Sequence, residues 1–383
     1  MPISHPFVSG KADGGDATLV RPSNWNASHA GTLDHGAELT GLEDDDHPQY
    51  LLVSGSRLMT GDLDMGGNDI LSVRNMYPDP GGRLMLTAAT PVMVADTAAQ
   101  TTLYYALYKH DLVPLYDGTD WDVFRFTELS IAMAASANWA TDSNFDCYVY
   151  NDAGTLRLVT GAAWTSGTAR NESLTRVNGR RTNTASMTGR YGAASTVTVA
   201  ANLGLYVGTL RTTSATGTTT WELGGTASGG DAGLLYLWNM YNRVDVSVTV
   251  KDSTDSWTYS TDAYRSKNAS TTNRVTFLRG LNEDSVYASS GAHRQSNTVD
   301  GAGYESIGLD STTAIAADAS AGGAFALAAN RFVQTVSRYA GFPGLGLHFL
   351  QAIETGDGTI TELWVGDNGA SRMVEGLHVQ VKA

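Results

Sequence analysis

The chain is expected to be mainly β. Three observations carry that expectation. Short apolar runs are separated by glycine, asparagine and aspartate turns over most of its length. Several runs alternate apolar and polar residues, with residues 244–250 (VDVSVTV) the cleanest. Gly, Ala, Ser and Thr are abundant while charged residues make up 17% of 383 positions, a mixture poor in helical periodicity.

Four segments follow in order. Residues 1–33 are rich in Pro, Gly, Asp, Ser and Asn, with few apolar anchors. Pro22-Ser23-Asn24-Trp25-Asn26 reads as a turn that presents an aromatic ring. Composition alone also fits a disordered terminus. Residues 5–14 (HPFVSGKADG) and 17–26 (ATLVRPSNWN) resemble the start of small phage virion proteins, which implies an adaptor that orders on docking to a larger particle, with Phe7, Val8 and Trp25 as anchors.

Residues 34–83 carry apolar side chains at regular places, including Leu42, Leu58, Met59, Leu63, Met65 and Ile70. Leu63 and Met65 alternate with Asp62 and Asp64, the period of a strand, between turn signals at Gly61 and Gly66-Gly67-Asn68. A strand so brief, with one apolar face and no nearby hairpin partner, needs cover from outside itself. Copies meeting around an axis supply that cover. The segment is therefore expected to be an intertwined trimeric neck, with His47 and Tyr50 also at the subunit contact. Asp44, Asp45 and Asp46 beside His47 are assigned to turning the chain and capping amides. Neighbouring carboxylates on an extended strand point to opposite sides, and no metal site is assigned.

Tyr77-Pro78-Asp79-Pro80-Gly81-Gly82 marks a boundary. Residues 84–123 are expected to be a connector. Residues 124–383 are expected to form an antiparallel, jelly-roll-like β-sandwich body. Asp152-Ala153-Gly154 lies between two strong runs and predicts a hairpin; Gly356-Asp357-Gly358-Thr359 predicts another. Residues 131–137 fit either a short helix or a strand. Residues 314–329 read as a loop.

Composition narrows the function. The net charge of −14 argues against a nucleic-acid partner, since phosphate contacts need clustered Lys and Arg. No apolar run approaches the length of a membrane span, and the N-terminus lacks the form of a secretion signal. Cys147 is the single cysteine and fits a small buried hydrophobe in a strand. There is no nucleophile elbow and no phosphate-binding glycine loop, so no catalytic residue and no cofactor is assigned. Glu222, Glu283, Asp284, Asp252 and Asp255 lie near aromatic residues, but spacing does not place any pair over a common cleft. Flat aromatic faces beside polar neighbours suit sugar rings, which makes Trp238, Tyr241, Trp257 and Tyr259 candidate glycan-binding residues. Arg243, Arg265 and Arg274 are expected to pair with nearby carboxylates such as Asp245, Asp252 and Asp262.

The run Asp44-Asp45-Asp46-His47-Pro48-Gln49-Tyr50-Leu51, continued by residues 55–70 (GSRLMTGDLDMGGNDI), resembles the neck of tailed-bacteriophage fibre proteins. Residues 112–118, 144–152, 238–244 and 252–259 look like a β-rich domain of phage structural proteins. The resemblance implies a homotrimeric virion structural protein, a tail or head fibre assembled in the host cytoplasm and attached to capsid, portal or tail. The resemblance leaves the ligand open; from its aromatic residues the distal body is expected to recognise host-surface glycan. A capsid-decorating head fibre without a specific ligand and a polysaccharide depolymerase are the alternatives.

Overall fold

The structure is a computed structural model that describes Gly15 and residues 77–133, 136, 138–225, 230–367, 369 and 372–383. The expected adaptor and most of the neck therefore lie outside the described residues. These include Phe7, Val8, Trp25, Leu42, His47, Tyr50, Leu58, Met59, Leu63, Met65 and Ile70. From Tyr77 onward the described chain belongs to one unit, Arg74–Ala383.

That unit is mainly β. Helical structure among the described residues is limited to 3-10 conformation, as in the three-residue turn Lys267–Ala269. The strand Asp245–Val250 shows how the sequence sets this. Val246, Val248 and Val250 are buried while Asp245 and Ser247 are exposed. It pairs antiparallel with Leu377–Lys382, setting Val246 against Val381, Val248 against Val379 and Val250 against Leu377. Two period-two patterns thus place their apolar sides on one face.

Three large sheets organise the unit. In the first, the hairpin Asn144–Asp152 and Thr155–Ala163 is central, with Leu205–Arg211 paired to its first strand. In the second, Gly346–Thr355 is central, between Arg274–Arg279 and Ala302–Leu309. In the third, Val286–Ser296 pairs with Phe332–Gly341 along one edge, and with Leu377–Lys382 and then Glu362–Val365 along the other. Among the described strands one pairing is parallel, Gly233–Leu235 with Arg274–Arg279.

The hairpin at Asp152 forms. Asp152 faces Thr155, and Ala153 and Gly154 both take positive φ, 47° and 97°. Successive left-handed residues give the primed turn whose twist matches the strands. The second expected hairpin does not form. Residues 356–359 turn the chain from the second sheet into the third, and the strands on either side, Gly346–Thr355 and Glu362–Val365, do not pair. The turn is real: Asp357 accepts N–H bonds from Thr359, Ile360 and Ala302. Turn chemistry reverses a chain locally without choosing its next partner.

Residues 84–123, expected as a connector, are packed into the body. They hold all or part of Gly82–Met85, Thr97–Gln100, Thr102–Leu107, Leu112–Tyr116 and Trp121–Arg125. Leu84, Met85, Leu103, Tyr105, Val113, Leu115 and Trp121 join the main core. Residues 131–137 begin with the end of a strand, Leu129–Ala132. Residues 314–329, expected as a loop, contain the short strand Gly322–Phe325.

Candidate functional site: an aromatic cleft with an acidic rim

The hairpin Leu112–Tyr116 and Trp121–Arg125 sets Leu115 opposite Asp122 and Tyr116 opposite Trp121. Tyr116 packs on the buried Trp121 ring, centroids 5.6 Å apart. Asp117 opens the turn: its Oδ1 accepts N–H bonds from Thr119 at 2.7 Å and Asp120 at 2.8 Å. Gly118 follows at φ 109°, where a side chain would be strained. Those amide bonds hold the Asp117 carboxyl below the usual aspartate range.

This hairpin forms one wall of a cleft of about 200 Å³. The other wall is the Asp152 hairpin and the turn before Leu205, supplying Tyr150, Asn151, Ala153 and Leu203. Tyr116, Phe124 and Tyr150 are half-buried, leaving part of each ring open; Asp117 and Asp122 are exposed. Asn151 is fixed because its Oδ1 accepts the Gly154 N–H at 2.8 Å. Apolar rings beside fixed polar groups suit a small polar ligand that has apolar faces.

Sequence reasoning missed this cleft. A signal was present, since Asp117-Gly118 stands between two apolar runs and marks a turn. Nothing in that signal says that residues some 35 positions away complete the site.

The four candidate glycan residues do not converge here. Trp238 is fully buried, its ring stacked on Tyr206 with centroids 6.3 Å apart and the Arg243 guanidinium 5.2 Å away. It is a core residue and offers no face to a sugar. Tyr241 is half-buried, and burial pushes its phenol up to about 12. Trp257 and Tyr259 lie on one face of Ser256–Tyr259. The Trp257 indole donates to both Glu354 carboxylate oxygens at 3.0 and 2.9 Å. The Tyr259 hydroxyl donates to the Ala263 carbonyl at 2.8 Å, and Arg265 lies 3.7 Å over its ring.

The arginines find partners other than those expected from sequence proximity. Arg243 pairs with Asp284, Arg265 with Glu354, and Arg274 lies over Phe349 at 4.7 Å. The acidic residues near aromatics are dispersed. Glu283 sits between Arg176 and Arg181, and Asp252 accepts from Asn273 at 2.6 Å and Asn268 at 3.1 Å. Cys147 is fully buried, and burial holds its thiol well above its ordinary range.

No protein-family model matches the chain, and no curated protein matches it. Among solved structures it is similar to the insecticidal delta-endotoxin Cry8Ea1 from Bacillus thuringiensis, at 7% identity and a TM-score of 0.22, over 79% of this chain and 52% of that one. It is also similar to the structure of infectious bursal disease virus, Gx strain, at 12% identity and a TM-score of 0.21, over 80% of this chain and 72% of that one. The chain spans about half the length of the endotoxin. At these scores neither likeness carries weight for fold or function.

Proposed function

We propose that this chain is a structural protein of a tailed-bacteriophage virion, a homotrimeric fibre whose β-rich body binds host-surface glycan. In this reading residues 1–33 attach to the virion, the neck trimerises, and the body is an elaborated jelly-roll-like sandwich. The neck resemblance supports the virion assignment. The observation that carries the binding role is the cleft, where Tyr116, Phe124 and Tyr150 meet Asp117, Asp122 and Asn151. Binding proceeds without cleavage, and the partners are copies of the chain, other virion proteins and a sugar.

A host-envelope glycan array tests the binding role. Phe124→Ala and Tyr150→Ala are each expected to weaken binding about tenfold, the loss of one stacking face. Failure of the full-length trimer to bind any envelope sugar favours capsid decoration. Release of reducing sugar favours the depolymerase. Light scattering on the full chain tests assembly, and a stable monomer would overturn the fibre assignment.

A further inference from the structure

We infer that the cleft selects neutral or amine-bearing sugars and rejects acidic ones, with Asp117 and Asp122 as the discriminating groups. This rests on the cleft being the glycan site.

The charge balance of the cleft carries the inference. Two carboxylates line it, and none of the lining residues is Lys, Arg or His. The nearest cations on the same strands are neutralised elsewhere. Arg157, opposite Tyr150, binds Asp152 at 2.7 Å and lies 4.4 Å over the Tyr191 ring. Arg125, opposite Leu112, binds Asp111 at 2.8 Å. Among the described residues, neither Asp117 nor Asp122 has an arginine, lysine or histidine ion-pair partner. Asp117 is also held in place by two amides, so it does not swing away from an incoming anion.

A ligand entering between these groups meets acceptors and negative potential. Sugar hydroxyls and ammonium groups donate to carboxylates. A uronate, sialate or phosphate group is repelled and leaves the aspartates without donors. The aromatic rings stack on the apolar face of a pyranose whatever its charge, so they supply affinity and the carboxylates supply choice. At about 200 Å³ the cleft is below the roughly 300–1,000 Å³ of typical drug-sized sites, which suits a single sugar ring.

The test uses the full chain and albumin conjugates bearing glucosamine, glucose or glucuronate, measured by biolayer interferometry at low and high salt. Glucosamine is expected to bind tightest and glucuronate weakest. Each exposed carboxylate is expected to contribute up to about fivefold, shrinking at high salt. Asp122→Asn should narrow the gap between glucosamine and glucuronate, read as the ratio of their two affinities, by up to about fivefold. Equal or tighter binding of glucuronate, or an unchanged order in Asp122→Asn, overturns the inference and leaves the glycan reading standing. Binding of the three conjugates that survives both Phe124→Ala and Tyr150→Ala places the site elsewhere; it removes the inference and the assignment to this cleft and leaves glycan binding by the chain standing. Absence of binding by all three removes the inference, and the envelope array then decides the broader reading.

Discussion

Glu305 and Glu354 face each other across neighbouring strands of the second sheet, both fully buried, yet their surroundings differ. Glu354 accepts bonds from the Trp257 indole, the Arg265 guanidinium and the Asn268 amide. Glu305 has the Lys267 ammonium at 3.6 Å, and that ammonium donates to the Gly291 carbonyl at 2.6 Å. Burial raises both carboxyls, and it pushes Glu305 up to about 8 against the opposing pull of Lys267.

The first prediction concerns pH. Glu305 binds its proton more tightly in the folded chain than in the unfolded one, where its ordinary value is 4.5. Its contribution to stability is therefore complete below 4.5 and is lost as pH rises toward about 8. The slope from this group is at most about 1.4 kcal/mol per pH unit. Glu305→Gln should flatten that decline, seen as a smaller fall in Tm between pH 5 and pH 8. An unchanged pH profile in the variant would show that Glu305 is ionised in the folded chain.

The second concerns the partner of Glu354. Removing Arg265 leaves a carboxylate buried with fewer donors. Arg265→Ala is expected to destabilise the body by about 2–4 kcal/mol, below the largest losses because the guanidinium is partly solvated. Combining it with Glu354→Gln should recover part of the loss, as measured by urea unfolding. Strictly additive losses would show that the two side chains are not coupled.

The third separates core from ligand. Trp238→Ala should cost about 3–5 kcal/mol, the range for emptying a buried aromatic site. Sugar binding by the fraction that stays folded should be unchanged. Gly280→Ala reports on the same contact, because its added Cβ would stand 2.2 Å from both the Trp238 ring and the Tyr206 hydroxyl. A Tm close to that of the parent chain in Gly280→Ala would mean the packing there is looser than described.

The fourth concerns the hairpin beside the cleft. Ala153 holds φ 47°, where asparagine is better suited and alanine is strained. Ala153→Asn creates the Asn-Gly pair preferred in a primed turn and should raise stability by about 1 kcal/mol. Thermal unfolding checks it. Gly154→Ala, at φ 97°, should act in the opposite direction by a similar amount.

The sequence by itself determined the β class, the inward face of Asp245–Val250 and the turn at Ala153-Gly154. Each depends on neighbours within a few residues: a period of two, or a φ that only certain residues adopt. Tertiary structure decided what those faces meet. It set Trp238 against Tyr206 instead of solvent, gave Arg265 to Glu354, sent the chain at Asp357 into another sheet, and brought Tyr150 to a cleft begun at Tyr116. Strand pairing joins residues far apart along the chain, and a local pattern records which side of a strand is apolar but not which distant strand will cover it.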